Sequence, residues 1–434
     1  FVLIGTFSFS LVTGNLFQQL YTFVDTIIIG KKIGAPGLAA VGGTEWLIFM
    51  VNGLVIGLVQ GFSILLGNCF GEKNEQRFAV CYHMSKKICA VLAAALTAVF
   101  LLISGSILRM LGTKEEVYPM AKTYVDTILL GTPFLAFYQL FSGALRSRGN
   151  SRIPLLAMTV SSLCNIILDI LFVNVLELGI AGAALGTILS EFVVMLICGY
   201  YFYHDGSRAG YDGSALENEK MVMKRLFRMG LPMAMQSLIT SIGGLIVVNR
   251  INQYDLTFLA GYTSAVKLYG LLEIAASSFG LAAAAYVSQN YGANKMNRIR
   301  QGVRAGVAMG AAVALACSAV MVFGGKSILR LFIDTSAVMD EVLGYGYGFL
   351  EILAVFFPFL YILYILRAVL QGINNTVVPM LSSFAQLMMR LLCATVLTRF
   401  IGYEGIFWGE VTAWLFADAV LFAAYRLEMR RIME

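Results

Sequence analysis

Asn15, Gln18, Thr22 and Asp25 recur every three or four residues within the apolar run 1–29, so a helix would carry them on one face. Asp25 is the residue there that can do chemistry. A carboxylate at the centre of a membrane-spanning helix costs about 2.5–3.5 kcal/mol on insertion scales, so it needs a polar partner, a cation or a proton. The alternative is a position near a membrane surface, since Lys31 and Lys32 follow closely. A second stripe is Ser161, Asn165 and Asp169, at i, i+4 and i+8 in another apolar segment, and Thr187 with Glu191 makes a third. Three helices thus offer three carboxylates, an amide and several hydroxyls, oxygen ligands suited to Na⁺ or to a shared proton. Individual members could instead make interhelical hydrogen bonds of structural value only, the reading favoured for Thr187 alone. Asp25 and Asp169 are the titratable pair. Burial and a neighbouring carboxylate both favour the protonated form, so the pair is expected to hold one proton, or one Na⁺ with help from Asn165 and Thr187.

The C-terminal half carries Glu273, Glu351, Glu410 and Asp418 in apolar segments, with Lys267 and Arg390 available to neutralise two of them. Ion pairing and substrate contact are the two readings. Gln18, Glu191, Gln236, Glu273, Glu351 and Glu410 are the candidates for lining a substrate cavity. No catalytic residue is expected. Gly325-Lys326-Ser327 ends like a phosphate loop, but Val320 stands where its first glycine belongs, and no nucleophile elbow or metal-hydrolase motif occurs. The cysteines (Cys69, Cys81, Cys89, Cys164, Cys198, Cys317, Cys393) form no C-x-x-C pair and read as small buried hydrophobes. His83 and His204 lie far apart, so neither a transition-metal site nor a cofactor is expected.

The elements that must position these groups follow from composition. Of 434 residues, 59% are hydrophobic and 13% charged, with mean hydropathy +0.79. A soluble chain is about 45–50% apolar and about 25% charged, so this is an all-α polytopic membrane protein whose environment is the lipid bilayer. Spans of sufficient length fall at 1–29, 37–70, 88–111, 121–147, 153–176, 180–203, 226–250, 258–290, 302–323, 343–370, 377–400 and 403–425, twelve in all. The chain begins at Phe1 rather than Met, so a short preceding piece is expected, and 1–29 is too long for a signal-peptide core. The net charge of +6 does not require nucleic acid. If the N-terminus is cytoplasmic, twenty of the 31 Lys and Arg, Arg367 among them, fall on inside loops or the C-terminal tail, against eight opposite. That bias places both termini in the cytoplasm.

The one strongly polar connector, 205–223, reads as a linker between an N-lobe (1–204) and a C-lobe (224–434). The halves repeat. Cys69–Arg77 (CFGEKNEQR) is similar to Asn290–Arg298 (NYGANKMNR), Leu145–Pro154 (LRSRGNSRIP) to Leu370–Pro379 (LQGINNTVVP), and Gly182–Thr187 (GAALGT) to Gly405–Glu410 (GIFWGE). Six helices per half bring both halves into the membrane from the same side, giving two pseudo-symmetric lobes related by an axis along the membrane normal.

The ordered set NLFQQLYTFVDTIIIG, LAAVGG at Leu38–Gly43, FGEKN at Phe70–Asn74, LRSRGN, NIILD at Asn165–Asp169 and GAALGT resembles the multidrug and toxic compound extrusion (MATE) family of bacteria over nearly the whole chain. The resemblance implies twelve transmembrane helices in two six-helix lobes and a secondary active antiporter rather than an enzyme. Such a protein exports organic, often cationic, compounds in exchange for H⁺ or Na⁺ by alternating access, as a monomer in the bacterial plasma (inner) membrane. It also implies that Asp25, Asn165, Asp169 and Thr187 form the N-lobe cation site. Two departures stand out. The seventh span has no acid, only Gln236, Asn249 and Arg250, where another branch of the family carries one. Ser10 occupies the position where many bacterial members have a first-helix proline, although Gly14 leaves a kink available.

A flippase for lipid-linked oligosaccharide or another amphipathic lipid is the competing reading. It would need several cationic side chains for pyrophosphate, and the spans offer Arg250, Lys267 and Arg390. A membrane-embedded prenyl transferase would need clustered aspartates for Mg²⁺, and no D-D or D-x-x-x-D occurs. Cysteines introduced at 205–223 are expected to react with an impermeant thiol reagent only from the cytoplasmic side. Reaction from the outside would overturn both the orientation and the linker assignment.

Overall fold

The structure, a computed structural model, describes residues 2–204, 219–331 and 339–431, and the expected linker lies outside the described residues up to 218. The described residues form helices joined by short turns, with no strand among them. We number twelve helical segments α1 (Val2–Lys32), α2 (Ala35–Gly71), α3 (Glu75–Met110), α4 (Tyr118–Leu130 and Thr132–Ser147), α5 (Arg152–Val175) and α6 (Gly179–His204) in the first half. The second half contains α7 (Glu219–Ile251), α8 (Leu256–Gly292), α9 (Met296–Arg330), α10 (Met339–Gly372), α11 (Val377–Ile401) and α12 (Glu404–Arg431). Each coincides with one expected span, although α3, α9 and α12 extend beyond it. Ten are individually long and apolar enough to cross a membrane, and α4, bent by 40°, makes an eleventh if its halves form one span. α1 is not among them, because Asn15, Gln18, Gln19 and Asp25 interrupt its apolar run. The protein is a multi-pass membrane protein.

Local chemistry sets the boundaries. Asn74 caps α3 by accepting a hydrogen bond from the Arg77 backbone N–H at 2.9 Å, which satisfies one of the free donors of the first turn. Gly149 (φ 87°) and Asn374 (φ 69°) take the left-handed conformation in the turns before α5 and α11. Gly179 (φ 59°) and Gly402 (φ 65°) do the same before α6 and α12. These paired turns are the backbone counterpart of the sequence repeat. α5 ends in a π-helical turn, Ile170–Val175, and α11 contains another at Cys393–Leu397.

The chain divides into two compact units. The first comprises Thr13–Ser237 with Gly292–Asn294, and the second Phe1–Val12, Leu238–Tyr291 and Lys295–Glu434. The division therefore falls inside α1 and α7 rather than at the linker. In the first unit, the start of α7 packs backbone to backbone on α2. A Cβ on Gly61 would lie 2.5 Å from the Gly230 Cα, and one on Gly57 would lie 2.6 Å from the Met233 carbonyl oxygen. In the second unit, Gly261 of α8 meets α10 in the same way, 2.4 Å from the Val342 carbonyl oxygen. Small residues permit this approach where lipid gives helices no hydrophobic reason to associate. Large side chains fill the rest of each unit: Phe62, Leu66 and Phe78 in the first, Phe349, Phe357, Tyr361 and Trp414 in the second.

One sequence expectation needs correction. Arg367, counted above among the inside loops, lies within α10 and is only 7% exposed. Gly14, where the sequence leaves a kink available, lies against the Met158 side chain, with a Cβ there 3.0 Å from Sδ; this contact neither supports nor removes that expectation. Gly61→Val would drive α2 and the start of α7 apart. It is expected to cost about 1–3 kcal/mol, the usual penalty of overpacking, seen as a lower unfolding temperature in detergent. Wild-type melting would show that this contact is dispensable.

Candidate functional site

The first unit gathers the polar stripes of α1, α5 and α6. α5 packs along α6, and the Ser161 hydroxyl donates to the Ser190 carbonyl across that contact at 2.7 Å. Ser161 is therefore a structural member of the stripe. One and two turns further on, Asn165 and Asp169 are both 0% exposed, and Asp25 of α1 is 7% exposed. Among the described residues, no hydrogen-bond partner reaches either Asp169 carboxylate oxygen, Asn165 Oδ1 or Nδ2, or Asp25 Oδ1. Buried polar groups are otherwise satisfied almost without exception, so this set calls for a proton or a cation. Asp25 and Asp169 are near enough for their charges to act on each other.

The α6 backbone makes room for this arrangement. At Gly186, a Cβ would stand 2.2 Å from Asp169 Oδ1, so the carboxylate rests directly against the helix at the residue before Thr187. The Thr187 hydroxyl donates to the Ala183 carbonyl at 3.2 Å. At the C-terminal end of α1, Lys32 Nζ reaches Glu177 Oε1, in the turn after α5, at 2.9 Å. The lysine holds that carboxyl below its usual range. Both groups are exposed, so the pair adds little stability. It does link the helix of Asp25 to that of Asp169.

Three participants were not picked out from sequence. Tyr21, one turn before Asp25 and hydrogen-bonded to Gln18, lies within electrostatic reach of Asp25, Asp169 and Glu191. Its i, i+4 spacing from Asp25 is a signal that was available. Tyr124, buried on α4, is within reach of Asp25 and Asp169. Tyr124 had no sequence signal, because only the fold brings it here; Gly186 stood out only as a repeated glycine of the GAALGT stretch, with no role at the site. Of the candidate cavity residues in this unit, Glu191 and Gln236 are half-buried and Gln18 is exposed.

The second unit is different. Arg390 of α11 and Glu410 of α12 form an ion pair at 2.7 Å with side chains 14% and 12% exposed. The Tyr364 hydroxyl donates to Glu273 Oε1 at 2.8 Å. Arg367 donates to Ser382, Ser383 and Gln386 of α11 at 3.3, 3.0 and 2.9 Å respectively. Glu351 and Lys267 are exposed, and Asp418 is buried with neither carboxylate oxygen partnered among the described residues. Arg390 thus neutralises one acid as expected, whereas Lys267 is directed elsewhere. Cys69 and Cys81 bring their sulfurs to 3.6 Å in the first unit. Among the described residues, no three His, Cys, Asp or Glu side chains are grouped to hold a metal ion.

Gly186→Ala is expected to displace the Asp169 carboxylate and weaken cation binding about tenfold or more, a loss of about 1.4 kcal/mol. Proton uptake and radioactive sodium binding by the purified protein measure it, and wild-type binding would remove Gly186 from the site.

The MatE family model matches residues 11–171 and 232–396, one stretch in each repeat. The chain is 25% identical over 424 residues to the probable multidrug resistance protein YpnP of Bacillus subtilis (strain 168), covering 97% of this chain and 93% of that protein. It is 25% identical over 337 residues to the probable multidrug resistance protein YoeA of the same organism, covering 76% and 71%. The solved structure of a MOP superfamily transporter from Pyrococcus furiosus Vc1 superposes with a TM-score of 0.91 at 23% identity, over 100% of this chain and 96% of that one; the fold is shared. With both repeats matched by one family model and the fold shared end to end, the chain belongs to the MatE family, the multidrug and toxic compound extrusion transporters, and is a transporter rather than an enzyme.

Proposed function

We propose that the protein is a secondary active exporter of organic, often cationic, small molecules, exchanging them for H⁺ or Na⁺ by alternating access. The observation that carries this reading is the buried pair Asp25 and Asp169, with Asn165, whose polar atoms have no hydrogen-bond partner among the described residues. Such a group stays charged inside a membrane bundle only with a cation beside it, and otherwise takes a proton. Loading either one neutralises one of the negative charges that α1 and α5 bring together and alters which packing of α1 against α5 and α6 is favoured. Asn165 and Thr187 supply neutral oxygens for Na⁺. The assignment of the two Bacillus subtilis relatives as probable multidrug resistance proteins supports a multidrug substrate range for this chain. The inner membrane of a bacterium, cytoplasmic termini, a monomer and rocking of the lobes 1–204 and 224–434 about 205–223 belong to the same reading.

The flippase reading loses support from the second unit. Arg390 is held by Glu410, and Arg367 by Ser382, Ser383 and Gln386, so these cations are engaged internally rather than presented to a pyrophosphate. Inward movement of one charge at about 100 mV supplies about 2.3 kcal/mol, enough for a roughly 50-fold gradient of a neutral substrate.

Efflux of a fluorescent organic cation from proteoliposomes, under a pH gradient alone and then a Na⁺ gradient alone, identifies the coupling ion. Asp25→Asn and Asp169→Asn keep size and polarity but remove the charge. Each is expected to abolish gradient-driven efflux in a protein that melts normally. Glu273→Gln, Glu351→Gln and Glu410→Gln are expected to weaken it less. Wild-type rates in both Asp variants would refute the first-unit coupling site.

A further inference from the structure

Resting on the coupling role given above to the first unit, we propose that the second unit carries its own tethered cation, the Arg390 guanidinium, in the seat that its repeat partner leaves for a coupling ion. The Arg390–Glu410 seat therefore takes up no coupling cation of its own.

The correspondence comes from the backbone. Gly149 and Asn374, the left-handed turn residues before α5 and α11, are 225 residues apart, as are Pro154 and Pro379. The same step takes Asn165 to Arg390. Beyond the π-helical turns the step is 223: Gly179 and Gly402 are the left-handed pair, and Gly186 and Gly409 the glycines facing the preceding helix. That step takes Thr187 to Glu410. The neutral oxygen donors Asn165 and Thr187 of the first repeat thus become a guanidinium and a carboxylate in the second.

The two seats also differ in how well they are satisfied. Asn165 has both amide atoms without partners among the described residues, and a carboxylate one turn away waits for positive charge. At the second seat, Arg390 lies along α7, about where a Cβ on Gly243 would come 3.5 Å from a terminal nitrogen, and bonds Glu410 at 2.7 Å. A charged nitrogen on a side chain supplies there what a free cation would supply in the first unit, and it cannot dissociate. The groups surrounding the pair are Tyr262, Tyr269, Glu273, Tyr364 and Arg367. Of these, Glu273 accepts from Tyr364 and Tyr269, and Arg367 is bound to Ser382, Ser383 and Gln386.

The test counts cation-binding events on the purified full-length protein, with radioactive sodium at fixed pH and with proton uptake after a pH jump. One saturable event is expected for the wild type, lost in Asp25→Asn. Arg390→Asn is expected to add a second event, and Arg390→Asn with Glu410→Gln to remove it again, while Arg390→Lys shows one. A single event in a folded Arg390→Asn protein would overturn the proposal. Should Asp25→Asn keep the wild-type event, the coupling-site reading itself fails, whatever Arg390 does. Since a lone buried carboxylate destabilises a fold, the reciprocal transplant guards against misfolding. Asn165→Arg alone, which sets a tethered guanidinium one turn from Asp169, is expected to melt normally and bind no sodium; wild-type sodium binding by it would equally overturn the tethered-cation assignment.

Discussion

Asp169 lies fully buried against the α6 backbone, Asp25 lies within electrostatic reach, and their inner oxygens have no donor among the described residues. In water such carboxylates would be solvated at no cost. Between apolar helices each one, if charged, costs several kcal/mol, and the cost is removed only by a proton or a cation. The rest of the first unit is arranged around that unmet demand. Gly186 gives the carboxylate room, the Ser161–Ser190 bond fixes α5 on α6, and Tyr21 of α1 and Tyr124 of α4 lie within electrostatic reach of the pair.

The same demand explains the choice of small residues. A binding pocket between helices holds its geometry only if the helices around it are pinned, and in lipid they are pinned by contact rather than by the hydrophobic effect. The Gly61–Gly230 approach in the first unit and the Gly261–Gly346 approach in the second provide such pins. Each is a backbone-to-backbone contact that no other side chain would allow.

The two repeats share a backbone plan and have diverged in charge. α5–α6 and α11–α12 have the same left-handed turns, π-helical interruptions and facing glycines. α5 leaves Asn165 and Asp169 without partners among the described residues; at the matching positions α11 and α12 carry the Arg390–Glu410 ion pair, with Arg390 Nε and the Asp418 carboxylate still unpartnered there. An unsatisfied site responds to ions and a self-neutralised one holds its shape, which is a division of labour between copies of one motif.

Much of this was legible in the residues. The twelve helical segments, the repeat and the placement of Asp25, Asn165 and Asp169 on buried helix faces follow from apolar run length and from spacing of three or four, because both are properties of a helix by itself. Three matters depended on the packed fold. Arg367 read as a loop cation because the end of its span was uncertain by a turn, and only α11 shows that Ser382, Ser383 and Gln386 keep it buried. Gly186 and Tyr124 have no periodic signal, since their role exists only once α4 and α6 meet α5. The unit boundaries fall inside α1 and α7, whereas composition marks only the polar connector between the halves. Sequence determines which face of a helix is polar; which faces meet, and whether the groups there find partners, is decided by tertiary packing, because that depends on contacts between residues far apart in the chain.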